Sequence, residues 1–393
     1  MGLDLRRHFS RFLHADPDRI HLAAHSHHFW PDVTFDAQVQ AWQDAARLAD
    51  EKWGPIFSDL IPTVQAGVAE ILRLPNPATI AVAPNTHEFL KRILSALPLG
   101  RPGRVLTTDG EFHSLSRQLA RLEEDGQVSV DRVPVDPSAT FASRFAEACA
   151  QGDHDLIYVS QVFFNSGATC GDLEQFVSSV PNEQTLVVVD GYHGFMALPT
   201  DLSAVADRVF YVAGGYKYAM AGEGACFMHC PPGYAPRPRD TGWFAAFGAL
   251  TARQDGVPYG EDGSRFLGAT FDPSGLYRLR AVLQWKRHIG LTVESIHDHV
   301  LDLQRRFVER ATREIPPLRE ARLVTPVDDS QHGHFLTYET PVAADLHRIF
   351  LEQRVVTDVR GDRIRFGFGC YHVQEDVDRA FEAMASALAR SQG

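Results

Sequence analysis

Two charged residues stand at the ends of neighbouring hydrophobic segments, where a charge needs a partner. Asp190 ends the apolar run "TLVVVD", and Lys217 follows in the glycine-rich segment "AGGYKYAMAGEG". An ionised side chain is costly to bury without a counter-charge or hydrogen bonds. A lysine whose pKa is lowered in a pocket is a nucleophile for aldehydes, and a carboxylate can keep a pyridinium nitrogen protonated. The two side chains are therefore candidates for one site.

The predicted strands place these two residues at a common edge. Ligands of α/β sheets bind outside the carboxyl ends of the strands, and both residues follow strands of this kind. Together they predict pyridoxal 5′-phosphate as the cofactor, with Lys217 bound to its aldehyde and Asp190 facing its ring nitrogen. Each residue also has a structural alternative, because Lys217 could reach solvent from a surface loop and Asp190 could cap a turn or a helix.

Two turns that follow predicted strands carry the other parts of such a site. In "PNTHEF", Thr86 is predicted to cap a helix whose backbone N–H groups and dipole favour a phosphate. In "DGEFHS", Phe112 stands at the equivalent end of the next strand and could stack on an aromatic ring. The alternatives are ordinary helix capping by Thr86 and core packing by Phe112.

Strands alternate with helices over the first two-thirds of the chain. Val-rich runs without strict alternation indicate strands buried on both faces of a mainly parallel sheet. Residues 276–315 are strongly helical, with a break predicted at Gly290. We therefore expect an α/β fold with a three-layer large domain and a smaller α+β C-terminal domain. The predicted boundaries are 1–50 for an N-terminal arm packing with the small domain, 51–272 for the cofactor-binding domain and 273–393 for the small domain.

Composition narrows the classes of partner. A net charge of −12 argues against a general nucleic-acid binder, which needs a basic face. Five scattered cysteines and a start without an apolar signal segment favour a reducing cytoplasm. No apolar run approaches the ~20 residues of a membrane span. We expect a cytoplasmic protein with neither nucleic acid nor membrane as its partner.

The order of Thr86, Phe112, Asp190, His193 and Lys217 resembles that of fold-type I pyridoxal-phosphate enzymes of the class V aminotransferase group. Within this group, the chain most resembles kynureninases and kynureninase-like proteins. The motifs that carry this resemblance are "DGYH", "GYKYAMAGEG", "TGWF", "RFLGAT" and "TDVRGDRIRFGFG". They are spread over most of the chain, and the subfamily depends on their combination.

The resemblance implies roles for these residues at the cofactor. Lys217, Asp190 and His193 would carry the catalysis, with His193 near the cofactor ring and its phenolic oxygen. Phe112 would stack on the ring. The residues implied to hold the phosphate are Thr86, Tyr216 and Trp243. The tryptophan would come from a neighbouring subunit, because such enzymes are generally homodimers with their sites at the subunit interface.

The resemblance also implies a substrate site. Arg365 would bind the α-carboxylate of an amino acid through its guanidinium fork, and Arg360 would either support it or be a surface charge. Ser26 matches the family's N-terminal serine only loosely, and His113 departs from the family's Phe-Pro; both are expected to face the substrate. The histidines near Ser26 lack a carboxylate or cysteine at a ligand spacing, so no metal is predicted. These histidines are His21, His25, His27 and His28.

The activity implied is kynureninase-like hydrolysis of the Cβ–Cγ bond of an L-α-amino acid with a γ-carbonyl. The products would be alanine and an arylcarboxylate of the anthranilate type. The alternatives are a class V aminotransferase, another pyridoxal-phosphate-dependent lyase, and a non-catalytic protein that binds the cofactor. A cysteine desulfurase is less favoured, because no cysteine matches the mobile-loop nucleophile of that group.

Overall fold

A computed structural model describes residues 3–249, 256–328 and 331–391 of the chain. Its strands, in chain order, are β1 (Ile20–His21), β2 (Ile80–Ala83), β3 (Gly103–Thr108), β4 (Val128–Val133), β5 (Leu156–Ser160), β6 (Leu186–Asp190), β7 (Val209–Gly214), β8 (Cys226–His229), β9 (Arg322–Leu323), β10 (Phe335–Glu339), β11 (Val355–Val356), β12 (Asp358–Arg360) and β13 (Arg363–Gly367).

The helices pack around these strands. In chain order they are α1 (Ser10–Ala15), α2 (Val33–Leu48), α3 (Trp53–Pro55), α4 (Ile61–Leu72), α5 (Thr86–Ser95), α6 (His113–Glu124), α7 (Phe141–Gln151), α8 (Leu173–Ser178), α9 (Ser274–His288), α10 (Val293–Glu314), α11 (Pro316–Glu320), α12 (Ala343–Glu352) and α13 (Gln374–Ser391). A π-helical turn, Ile56–Leu60, joins α3 to α4.

The large sheet has seven strands in the order β2-β8-β7-β6-β5-β3-β4. Strands β4, β3, β5, β6 and β7 are parallel, whereas β8 runs antiparallel to both of its neighbours, β7 and β2. Helices α5, α6, α7 and α8 alternate with these strands along the chain, as parallel pairing requires. The α/β class and the mainly parallel sheet predicted from the sequence are confirmed.

The central strands are built from buried apolar residues and end together. In β6, "LVVVD", the first four residues are buried, whereas Asp190 is only partly buried. The register pairs Asp190 with Ser160 of β5 and with Val212 of β7. Because these strands are parallel, their carboxyl ends meet at one edge of the sheet, and β7 continues from there into the loop that carries Lys217.

The C-terminal part of the chain forms a second, antiparallel sheet in the order β12-β13-β10-β9. The N-terminal segment joins it, since β1 pairs with β11 in parallel and Ala23 then bridges to Gly367 at the end of β13. Helix α2 packs along α9. The start of the chain is thereby attached to the C-terminal part. The domain boundaries after residues 50 and 272 stay predictions.

Two helix ends can be compared with the ends predicted from the sequence. Helix α9 ends before Gly290, whose φ is +67°, and the side chain of Thr292 caps α10, so the predicted break is confirmed. At α5 the prediction is wrong, because Asn85 is the cap. Its backbone is extended, and its Oδ1 accepts a hydrogen bond from the backbone N–H of Glu88 at 3.1 Å. Thr86 is the first residue inside the helix.

Most buried apolar side chains belong to one continuous core that reaches both sheets. The part of the chain that the structure describes contains no helix with both the length and the apolar character needed to cross a membrane.

Candidate active site

Asp190 is held at its strand end by two hydrogen bonds. The backbone N–H of Tyr192 donates to Oδ1, and the hydroxyl of Tyr158 donates to Oδ2, both at 2.9 Å. Burial raises the pKa of Asp190, whereas the two hydrogen bonds and the charge of Lys217 lower it. The carboxylate has a fixed orientation beside a cavity of about 230 Å³, where it favours a cation.

A tight loop after β7 buries Lys217. The N–H of Ala221 donates to the carbonyl oxygen of Gly215 at 2.8 Å. A Cβ atom on Gly215 would lie 2.5 Å from the carbonyl oxygen of Gly222, so only glycine fits at this turn. Lys217 itself is 7% exposed and lines the same cavity as Asp190.

The amine of Lys217 is partly uncharged near neutral pH. Burial lowers its pKa to about 7; the charge of Asp190 opposes this change and the charge of Arg365 adds to it. An uncharged buried amine can attack an aldehyde and can accept a proton. Three aromatic rings surround Nζ. Their centroids lie at 5.0 Å for Tyr192, 5.5 Å for Phe112 and 5.8 Å for Tyr216.

His193 connects Lys217 to the N-terminal segment. Its Nε2 lies 2.6 Å from Nζ of Lys217 and 3.2 Å from the carbonyl oxygen of His25. Burial and the charges of Lys217 and Arg365 lower the pKa of His193 well below its usual value. The imidazole is therefore neutral at neutral pH, and its contact with Lys217 is a hydrogen bond rather than a charge repulsion.

The start of α5 forms the other end of the cavity. Asn85, Thr86 and His87 line it together with Tyr216. The first N–H groups of a helix lack partners within the helix, and they favour an anion together with the helix dipole. The predicted phosphate end of the site thus has donors, although Asn85 rather than Thr86 is the capping residue.

Arg365 is buried on β13 and uses two of its five N–H donors in hydrogen bonds with described residues. Nη2 donates to Asp358 at 2.7 Å, and Nη1 donates to the carbonyl oxygen of Phe164. Nε has no partner among the described residues. Burial lowers the pKa of Arg365, and Asp358 raises it. Each terminal nitrogen makes one hydrogen bond, so Nε is the nitrogen of this guanidinium that has none. Arg365 is not among the residues that line the 230 Å³ cavity.

Three predicted site residues lie away from this cavity. Ser26 is partly exposed and does not line it. His113 begins α6 and lines a second cavity, of about 540 Å³, which it shares with Arg360. Trp243 is 46% exposed, with its ring 4.3 Å from that of Phe244. Their contacts with cofactor or substrate stay predictions.

A buried acid that no sequence motif indicates, Glu111, lies behind the site. Glu111 accepts hydrogen bonds from the hydroxyl of Thr108 at 2.8 Å, from the N–H of Ser160 at 3.1 Å and from its hydroxyl at 2.6 Å. Burial raises the pKa of Glu111 to about 7, although these hydrogen bonds lower it. The available signal was its place in "DGEFHS", directly before Phe112. Tyr158 was also missed, because a tyrosine within an apolar strand looks like core.

The cysteines are structural. All five lie in the described part of the chain as free, buried thiols, and burial raises the pKa of each to about 12. Buried thiols of this kind are inert. They are Cys149, Cys170, Cys226, Cys230 and Cys370. Among the described residues, no three histidine, cysteine, aspartate or glutamate side chains are placed to hold a metal ion.

This arrangement places the chain among the fold-type I pyridoxal-phosphate transferases, as the sequence predicts. A family model described as aminotransferase class-V matches residues 49–380, most of the chain. The chain belongs to the aminotransferase class-V family. It is a pyridoxal-phosphate-dependent enzyme of that class, and the cofactor predicted from the sequence is confirmed.

Known proteins of several activities are similar to this chain. Isopenicillin N epimerase of Streptomyces clavuligerus is 25% identical over 341 residues, which are 79% of this chain and 80% of the relative. The solved structure of the cystine C–S lyase C-DES with its product cysteine persulfide has a TM-score of 0.78 at 18% identity, covering 95% of this chain and 99% of that one.

A cysteine desulfurase from Thermococcus onnurineus has a TM-score of 0.80 at 18% identity, with 99% of both chains covered. At such identities the two structures show the fold alone. None of these three proteins is described as a kynureninase, so the closer resemblance to kynureninases stays a prediction.

The residues of the cavity fit the cofactor on independent observations. Lys217 offers a buried amine whose pKa is about 7, and Asp190 offers an oriented carboxylate that favours a cation. Phe112 supplies an aromatic ring 5.5 Å from Nζ of Lys217. The helix start at Thr86 supplies N–H donors for a phosphate.

Proposed function

We propose that this enzyme removes the α-proton of an L-α-amino acid and that Lys217 accepts it. The observation that carries this proposal is the buried amine of Lys217, with a pKa of about 7 and a hydrogen bond of 2.6 Å to the neutral ring of His193. Pyridoxal phosphate, when bound, supplies an aldehyde for the substrate amine and an electron-withdrawing ring.

Each neighbouring residue has a defined task in this proposal. Asp190 holds the proton on the ring nitrogen, and Tyr158 and Tyr192 fix the carboxylate through their hydrogen bonds. His193 orients the amine of Lys217, so that its lone pair is presented toward the substrate carbon. Arg365 binds the substrate carboxylate with its free Nε.

For the bond that is broken, we propose kynureninase-type hydrolysis at Cβ–Cγ. The support is the combination of "DGYH", "GYKY" and "RFLGAT" with the buried Arg365. Epimerisation at Cα is the second candidate, supported by the 25% identity to an epimerase over four-fifths of both chains. Amino-group transfer is the third, because it needs the same lysine and aspartate. A route that stores sulfur on a protein cysteine is disfavoured by the burial of all five thiols.

Borohydride fixation and a substrate panel test this proposal together. Borohydride should fix the cofactor on Lys217, which peptide mapping would locate. Incubation with L-kynurenine, L-alanine with a 2-oxo acid, and single L-enantiomers would separate alanine release, amino-group transfer and conversion to the D-form. Exchange of the α-proton with deuterated solvent is expected for at least one amino acid. A protein that holds the cofactor but exchanges no α-proton would instead be a non-catalytic binder.

We also propose that the enzyme is a homodimer with Trp243 at the partner's cofactor. Trp243 is exposed and does not line the cavity of its own chain. Helix α2 carries an exposed apolar stripe at helical spacing, formed by Phe35, Val39 and Trp42. Exposed apolar patches of this kind are typical of protein interfaces. Sedimentation analysis should find a dimer, and Trp42→Glu should shift it toward the monomer. A wild-type monomer with full activity would contradict this part.

A further inference from the structure

The small antiparallel sheet has a polar face on which buried atoms lack partners. Thr337 lies directly opposite Arg365 in the register, so both side chains project from one face, and Phe335 lies opposite Gly367 on that face. Among the described residues, no partner contacts Oγ1 of Thr337, Nε of Arg365 or either ring nitrogen of His25. We call His25, Thr337 and Arg365 the small-sheet face.

His25 reaches this face from the other end of the chain because Gly367 has no side chain. A Cβ atom on Gly367 would lie 2.1 Å from Nδ1 of His25 and 2.8 Å from its backbone nitrogen. The imidazole stacks on Phe335 at 4.8 Å with an interplanar angle of 23°. Arg365 is two residues before Gly367 and projects from the same face, so the imidazole lies beside the guanidinium.

Among the described residues, no other histidine has both ring nitrogens buried without a partner. Nδ1 of His28 contacts the carbonyl oxygen of Phe29 at 2.6 Å. His229 contacts the hydroxyl of Thr79 at 2.8 Å and the carbonyl oxygen of Ala206 at 2.7 Å. Buried polar groups are nearly always hydrogen-bonded, so an imidazole with neither nitrogen paired needs a reason. A ligand that arrives from outside the chain is one.

The charge around His25 selects an anion. Burial and the charges of Arg365, His193 and Lys217 lower the pKa of His25 well below its usual value, so its ring is neutral and carries one N–H donor. A carboxylate that enters here would accept from that N–H and from Nε of Arg365. A cation would face the guanidinium without compensation.

We propose that His25 and Arg365 bind the substrate carboxylate together, one donor from each, with the hydroxyl of Thr337 as a third available donor. The inference rests on the proposed function, because the carboxylate is that of the amino-acid substrate. It assigns a substrate contact to the N-terminal segment and uses the guanidinium nitrogen of Arg365 that has no partner among the described residues.

Acetate tests the contact without any reaction, since it has no amino group to react with the cofactor. In holoenzyme with isotope-labelled histidine rings, His25→Leu identifies the His25 signal by its loss. Acetate should shift this signal in wild-type holoenzyme and leave that of His229 in place, whereas uncharged acetamide should shift neither. An unmoved His25 signal, or equal shifts of both histidines, would overturn the proposal.

Kinetics with the best amino acid of the panel give a second measurement. His25→Leu should raise KM about tenfold, the worth of one hydrogen bond to a charged group, and change kcat much less. His25→Gln keeps an N–H donor and should recover part of that loss. A KM for His25→Leu equal to that of the wild type would also overturn the proposal.

Thermal unfolding distinguishes a role of His25 in ligand binding from a role in folding. His25→Leu removes unpaired nitrogens, so its Tm should equal or exceed that of the wild type, whereas the matched variant His229→Leu breaks two contacts and should have a lower Tm. A fall in Tm for His25→Leu as large as that for His229→Leu would make His25 structural. If no amino acid reacts but acetate shifts His25, the proposed function fails, whereas a carboxylate-binding site at His25 and Arg365 stands.

Discussion

The carboxyl edge of the large sheet and the small-sheet face both bury polar groups, but they differ in how these groups are bonded. Both carboxylate oxygens of Asp190 and of Glu111 accept hydrogen bonds from the protein. On the small-sheet face, His25 and Thr337 have side chains without partners among the described residues, and Arg365 keeps Nε free. The two acids at the large-sheet edge therefore have their partners within the chain, whereas the proposed substrate site would be completed by a ligand.

This difference has an energetic meaning. A buried polar group without a partner costs about 1–3 kcal/mol, and binding of a ligand that satisfies it recovers that cost. Proteins commonly accept such local instability at functional sites. Variants of the large-sheet edge should therefore affect chemistry and stability, and variants of the small-sheet face should affect substrate binding.

The largest expected effect is at Lys217. Lys217→Ala removes the group that accepts the proton and should lower kcat by roughly 10³-fold or more. Borohydride should then fix no cofactor on the chain. Lys91→Ala is the matched control, because Lys91 is exposed and pairs with Asp240 at 3.5 Å. Turnover by Lys217→Ala at the wild-type rate would remove the basis of the proposed mechanism.

Asp190→Asn should have the next largest effect. The amide cannot hold a proton on the ring nitrogen by its charge, so kcat should fall by about 10²–10³-fold, as for other preorganised electrostatic groups. The cofactor absorbance should change with it. The surface variant Asp201→Asn, which alters only exposed contacts with Arg73 and Ser203, should leave both quantities as they are. Equal activity of the two variants would mean that the charge of Asp190 is not required for catalysis.

Glu111 gives a prediction for stability against pH. Its pKa of about 7 in the folded chain exceeds the usual 4.5, so the folded state holds this proton more tightly than the unfolded chain. The contribution of Glu111 to the free energy of unfolding is then fully present below pH 4.5, and it is lost as the pH rises through about 7. In the wild type this loss amounts to roughly 3 kcal/mol of unfolding free energy, at about 1.4 kcal/mol for each pKa unit. Glu111→Gln should abolish this pH-dependent loss.

Urea unfolding at acidic and alkaline pH measures this difference. The exposed Glu124 offers Glu124→Gln as the control, which should keep the pH dependence of the wild type. An unchanged pH dependence in Glu111→Gln would mean that the acid is ionised in the folded chain.

The smallest expected effect tests the small-sheet face. Arg365→Lys keeps the charge but loses the planar donors, so KM should rise about 10- to 100-fold while kcat changes less. Arg363→Lys is the control on the same strand, since Arg363 pairs with Glu339. A decrease in kcat with an unchanged KM would mean that Arg365 acts in the chemical step rather than in substrate binding.

Sequence reasoning predicted the features that depend on repeated local patterns. Val-rich strands and the residues at their ends placed Asp190 and Lys217 at one edge, because parallel strands end together. The break at Gly290 followed from one residue type. The cap of α5 was missed by one position, since Asn85 and Thr86 both favour caps and only backbone geometry decides between them.

Other features depend on contacts between distant parts of the chain. Glu111 has no motif of its own, and its raised pKa arises only when the fold buries it, although hydrogen bonds from Ser160 lower that pKa. The unpaired state of His25 depends on Gly367, more than three hundred residues later. No local pattern reports a missing hydrogen bond, so the small-sheet face could be found only in three dimensions.

The bridge between Ala23 and Gly367 has a consequence for the order of events during synthesis. Translation releases the N-terminal segment first and the strand that receives it almost last, and domains fold as their residues emerge from the ribosome. The sheet edge with Asp190 and Lys217 can therefore assemble on the nascent chain while His25 still has no place to dock. Lys217 is therefore made well before β13, and the proposed substrate contacts of His25 and Arg365 can form only when that last strand has been made.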